Sequence, residues 1–110
     1  MPHRIRLRGP WELDSATNCF TRRFHQPTGL SPTTRVWLVI DEANTLARIE
    51  LNGTALGQAI PGHSARFDIT ASLKPQNLLA IALVALQPDA KTQADGPVGL
   101  VSLEIEESSA

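Results

Sequence analysis

The chain has 110 residues, ten basic and eleven acidic, for a formal net charge of −1 at neutral pH. That length suits one domain, residues 1–110, and excludes a two-domain enzyme or a large α/β barrel. Hydrophobic residues at 42% supply a core, and the near-neutral balance argues against a bulk electrostatic grip on nucleic acid.

Read from the N-terminus, residues 1–8 carry basic side chains with no apolar stretch behind them, so they do not form a secretory signal. Arg4, Arg6 and Arg8 alternate with Ile5 and Leu7, which places the arginines on the outer face of a strand. Trp11 follows Gly9-Pro10 and precedes Glu12, a position expected to leave the ring partly exposed at a sheet edge. Residues 18–25 read as a strand with Phe20 and Phe24 on one side. Residues 36–40 form a nearly continuous apolar run, as in a strand covered on both faces. Ala47, Ile49 and Leu51 then alternate with Arg48, Glu50 and Asn52. Asn52-Gly53 is a strong hairpin signal, because both residues tolerate positive φ.

A single helical turn is expected at residues 70–73, stopped by Pro75. Leu79, Ile81 and Leu83 share the next apolar face, with the smaller Ala80, Ala82 and Val84 behind them. Val101, Leu103 and Ile105 repeat the pattern in the last strand. The longest apolar run, residues 78–86, is about half of what a bilayer-spanning helix needs, so no membrane partner is expected. Seven or eight short strands separated by Gly, Pro and Asn turns predict an all-β fold, a β-sandwich or jelly roll.

Charge is uneven along the chain. Residues 1–48 hold seven arginines against four acids, and residues 49–110 hold three bases against seven acids. Two explanations compete: the basic stretch forms a binding face, or the first and last strands are neighbours, in which case Arg4, Arg6 and Arg8 face Glu104 and Glu106 and add modest cross-strand stability.

Several segments carry a more specific pattern. Residues 35–40 lead into Ala47-Arg48-Ile49-Glu50-Leu51-Asn52-Gly53-Thr54-Ala55-Leu56-Gly57. Arg66-Phe67-Asp68-Ile69-Thr70 is followed by Leu73-Lys74-Pro75-Gln76-Asn77-Leu78-Leu79-Ala80-Ile81, and Gly96-Pro97-Val98-Gly99-Leu100-Val101-Ser102-Leu103 closes the chain. With Thr21-Arg22-Arg23-Phe24 and Pro27 upstream, these blocks resemble the jelly-roll sugar-binding domain of family 2 glycoside hydrolases, the β-galactosidase and β-glucuronidase type. The resemblance covers roughly residues 18–106 and implies a galactose-binding-domain-like sandwich. Most matched residues have structural work. Asn52-Gly53 makes the hairpin, Asp68 accepts backbone N–H groups in the turn toward Thr70, and Phe67 and Ile69 supply core.

The resemblance also implies what is missing. In full-length relatives the two catalytic glutamates lie in a separate barrel domain of about 250 residues. No such domain is legible here, so hydrolase activity is not expected to carry over and no catalytic residue is assigned. Asp89 and Asp95 lie on the loop before the last strand, which in the family can approach the barrel's active site; they are candidate ligand contacts. Trp11 is the candidate stacking ring, and Arg22, Arg23 and Arg35 offer planar forks for hydroxyls or carboxylates, Arg23 among the candidate ligand residues.

Gly62-His63-Ser64-Ala65-Arg66 lacks the last glycine of a nucleophile elbow and has no α/β order around it. His3, His25, His63 and Cys19 stand at spacings no zinc site uses, so neither metal nor cofactor is expected. The lone Cys19 and the missing export signal favour a cytoplasmic location. Three readings compete: a non-catalytic carbohydrate-binding module; as the alternative, a structural or protein-interaction module without a sugar; and last a stand-alone enzyme, supported only by Asp89 and Asp95. The oligomeric state stays open.

Overall fold

The computed structural model describes residues 3–8, 11–14, 16–41, 43, 45–84 and 99–107. In chain order the strands are β1 (His3–Arg6), β2 (Glu12–Asp14), β3 (Cys19–His25), β4 (Thr34–Asp41), β5 (Ala47–Leu51), β6 (Thr54–Ala59), β7 (Ala65–Asp68), β8 (Gln76–Leu83) and β9 (Leu100–Glu107). A one-turn 3-10 helix, Thr70–Ser72, connects β7 to β8, where a single helical turn is predicted. Among the described residues no helix is long and apolar enough to cross a membrane.

The strands form two antiparallel sheets, one ordered β1-β9-β4-β7 and the other β2-β3-β8-β5-β6. The period-two pattern decides which side chains lie between them. From one sheet come Val36, Leu38, Ile40, Val101 and Leu103; from the other come Phe20, Phe24, Ile49, Leu51, Leu79 and Ile81. β2 and β7 have three and four residues, too few for an alternation to stand out in the sequence.

First and last strands are neighbours, the second of the two arrangements that the charge pattern left open. β1 pairs with β9 in a register that sets Arg4 opposite Glu104, with a 2.9 Å ion pair between them. The expected cover over both faces of β4 is present for Val39, which is buried on the outer side, while Trp37 is half-buried.

Two parts of the sequence signature meet in space. Gly57 closes the LNG hairpin block at φ +151°, and a Cβ built there would lie 2.8 Å from Cε1 of Phe67. A side chain at position 57 would therefore be strained and would push on the ring that joins β7 to the core. The turn itself has Asn52 at φ 52° and Gly53 at φ 84°, the conformation that matches strand twist in a two-residue hairpin.

Asn52 also acts beyond the turn. Its Oδ1 accepts from Leu78 N at 2.8 Å, and its Nδ2 donates to Ser72 O and to Asn77 Oδ1. Asn77 is buried and satisfied: it accepts from Lys74 N, and its amide donates to Lys74 O and Phe24 O. Asp68 accepts from Thr70 N at 3.0 Å and from the Thr70 hydroxyl, as expected for the FDIT turn. Thr70 Oγ1 in turn accepts from Val36 N at 2.8 Å, which fixes the turn to the start of β4.

Candidate functional site

β2 pairs only with Cys19–Thr21 at the first half of β3. Beyond it, Arg22, Arg23, Phe24 and His25 pair on one side with β8 and have no strand on the other among the described residues. β1 is the corresponding edge of the opposite sheet. The sandwich is therefore open between β1 and the second half of β3, and the candidate site lies there.

Three adjoining hollows mark the opening, and Arg23 borders all of them. One, of 270 Å³, is lined by Arg23, Phe24, His25 and Gln76. The second, of 220 Å³, lies among Glu12, Thr21, Arg22, Arg23 and Leu78. A third, again 270 Å³, runs between the sheets, where Arg22 stands over Ile5, Leu7, Phe24 and Leu103. Each is smaller than the roughly 300–1,000 Å³ typical of pockets that enclose a drug-sized ligand. They are surface subsites on the scale of one small ring.

The two arginines reach this opening differently. Arg22 shares the inward parity of Phe20 and Phe24, yet it is placed at the edge where its guanidinium meets backbone carbonyls. Nε donates to Arg8 O at 2.6 Å and Nη1 donates to Arg23 O at 3.0 Å. Partial burial pulls its pKa below the ordinary guanidinium value, and no carboxylate pairs with it among the described residues. Arg23 has the outward parity and is exposed, and its guanidinium has no hydrogen-bond or ion-pair partner among the described residues.

Arginines on the outer face of the four-stranded sheet stand in contrast. Arg4 donates to Asp41 and Glu104, Arg35 to Asp68, and Arg66 to Glu104 and Glu106, at 2.8–3.3 Å. Arg66 also lies over the Trp37 ring, 3.9 Å from its centroid. Hydrogen bonds from Arg4, then Arg66, hold the Glu104 carboxyl below its ordinary range. Hydrogen bonds from Thr70, then Arg35, do the same for Asp68.

The sequence-derived candidates are distributed as follows. Arg23 is at the opening, and His25, Gln76 and the inward-parity Arg22 join it there. Arg35 is taken by Asp68. The expectation of a partly exposed Trp11 is corrected: the ring is 6% exposed and belongs to the core, so it offers no stacking platform. A large apolar ring gains more from the interior than from the sheet edge. Asp89 and Asp95 lie outside the described residues. The sequence carried one overlooked signal for Arg22, a charged residue at an inward parity between two phenylalanines. Among the described residues no group of three His, Cys, Asp or Glu is placed to hold a metal ion.

Two antiparallel sheets with this order and a core of alternating side chains between them define an all-β sandwich. The particular family follows from the sequence. The family described as glycosyl hydrolase 2 galactose-binding domain-like matches residues 10–107, and the chain belongs to it. Similar solved structures include the FMN-binding β-glucuronidase from Facaelibacterium prausnitzii L2-6, 20% identical with a TM-score of 0.72 over 97% of this chain and 23% of that one. The β-glucuronidase of Bifidobacterium dentium, complexed with coumarin-3-O-glucuronide, is 24% identical, TM-score 0.60, over 81% of this chain and 21% of that one. The Bacteroides uniformis β-glucuronidase is 18% identical, TM-score 0.67, over 96% and 18%. At these identities the likeness shows the fold alone, and this chain spans about a fifth of each relative's length. No curated protein matches the sequence.

Proposed function

We propose that the chain is a non-catalytic carbohydrate-binding module whose ligand sits at the opening between β1 and the second half of β3. The observation that carries this reading is Arg23, a guanidinium without a partner among the described residues, at the border of three small hollows, with His25 and Gln76 beside it. Such a set offers planar and directional donors and acceptors for ring hydroxyls, with the Phe24 ring at the floor for C–H faces. The subsite volumes suit single saccharide units. Membership in a galactose-binding-like family supports the ligand class.

A glycan-array screen of the purified chain, with hits followed by calorimetry, tests the reading. Saturable binding to one saccharide class, weakened by Arg23→Ala, is the expected result. Asp95→Ala separates the opening from the segment before β9: if only that variant abolishes binding, the ligand is held by that segment. Silence across the array from a chain shown to be folded would replace this reading with a docking module. That second reading draws on the chain's spanning about a fifth of its solved relatives, in which the matching domain is joined to more polypeptide.

A further inference from the structure

Independently of the carbohydrate-binding reading, we infer that the open half of β3 receives an extended acidic peptide as an added strand, antiparallel to β3 and in line with β2. The first ground is the direction of the backbone. Leu83 N donates to Asn18 O and Gln26 N to Pro75 O, so the even-numbered residues of β3 turn their backbone groups toward β8. Leu78, opposite Arg23, exchanges its backbone bonds with Asn52 instead, on the β5 side. The N–H and C=O of Arg23 and His25 therefore face away from β8. β2 fills that lane only opposite Cys19–Thr21, and opposite Arg23 and His25 there is no strand among the described residues.

The lane also offers room for alternating side chains. A residue opposite Phe24 points between the sheets, into the 270 Å³ hollow floored by Ile5, Leu7, Phe24 and Leu103, which suits an apolar group. Residues opposite Arg23 and His25 point outward, where those two and Gln76 line a second hollow. Backbone bonds along an edge, with pockets for alternate side chains, are the pattern of strand addition. A saccharide held by the Arg23 guanidinium and a strand held by the Arg23 backbone would use different atoms of one residue.

Charge selects the occupant. The exposed Arg23 guanidinium has no carboxylate among the described residues, and an acid directly opposite it makes a favourable cross-strand pair. A second copy of β3 pairing about Arg23 would set two guanidinium groups face to face, and pairing about Phe24 would leave Arg23 without a carboxylate. Arg22 holds the lane shut. Its Nη1 donates to Arg23 O at 3.0 Å and so covers the carbonyl that an incoming peptide N–H needs.

The test is NMR of the isotope-labelled chain with a capped pentapeptide, Thr-Val-Glu-Leu-Glu, whose leucine falls opposite Phe24 and whose last glutamate falls opposite Arg23. Saturable shifts centred on the Arg23 and His25 amides are expected. Methylating the backbone nitrogen of the last glutamate should weaken binding about tenfold or more. Methylating the leucine nitrogen, which points away from β3, should leave it unchanged. Arg23→Glu should lose a similar factor and regain it when lysine replaces that glutamate. Arg22→Met should raise affinity about fivefold by freeing Arg23 O. The methylated peptides leave the protein untouched, so misfolding cannot mimic their effect. No shifts at millimolar peptide, or equal loss from both methylated peptides, would overturn the inference and leave the carbohydrate reading standing. A dimer joined through the β3 edge would overturn it in favour of a second copy. Peptide binding by a chain silent on the glycan array would uphold it and overturn the carbohydrate reading instead.

Discussion

The two sheets treat the same residue type in opposite ways. On the outer face of the four-stranded sheet, arginines from β1, β4 and β7 are held by Asp41, Asp68, Glu104 and Glu106 from β4, β7 and β9. At the open edge of the five-stranded sheet, Arg22 and Arg23 sit beside small hollows without such partners among the described residues. A paired arginine belongs to the fold's own electrostatics. An unpaired one at a concave edge is available to something outside it. That contrast separates structural from binding candidates here more sharply than composition does.

The comparison breaks most completely at the junction both sheets depend on. Gly57→Ala combines left-handed strain with a push on Phe67, and it should cost about 3 kcal/mol in chemical denaturation. Because that cost falls on the whole sandwich, any ligand binding at β3 should fade along the same denaturation curve. A smaller loss is expected on the paired face. Arg66→Ala removes two carboxylate contacts and the cation over Trp37, for about 1 kcal/mol.

Acid sharpens the contrast further. The folded-state pKa values of Glu104 and Asp68 lie below their ordinary range, so their stabilisation is present above roughly pH 4 and lost as pH falls through those lower values. The urea midpoint should therefore drop on acidification. The paired variants Glu104→Gln and Asp68→Asn should reduce that drop, whereas Arg23→Gln should leave it unchanged. The smallest effect on stability belongs to the binding candidates. Arg23→Gln should stay within about 0.5 kcal/mol of wild type. Arg22→Met, which trades a partly desolvated charge for an apolar stem, should be neutral within about 1 kcal/mol. A loss of several kcal/mol in either would place that arginine with the structural group.

The fold was readable because its rules are local. Alternation assigned Phe20, Ile49, Leu79 and Leu103 to the interior, and Asn52-Gly53 marked its turn by backbone tolerance alone. Charge sorting between the chain's two ends allowed Arg4 to face Glu104, and the register of β1 on β9 brings them together. The site was less readable because it depends on where strands stop. That β2 ends at Asp14 and leaves Arg22–His25 without a second neighbour is a tertiary outcome, invisible in the residues of β3. Trp11 failed for a related reason. Its neighbours in sequence are turn formers and an acid, yet its neighbours in space are core residues.

The amide of Asn52 has a consequence for how the protein ages. An Asn-Gly pair closes to a succinimide with loss of ammonia when the glycine nitrogen attacks the asparagine side-chain carbon, and the missing Cβ of glycine leaves that attack unhindered. In the folded chain the Asn52 amide is bonded to Leu78, Ser72 and Asn77, so it must leave all three before it can turn toward Gly53. Conversion at this turn therefore proceeds only as often as the hairpin opens. The accumulated product is a slow chemical clock of local unfolding, and it can be read by mass alone in any stored sample.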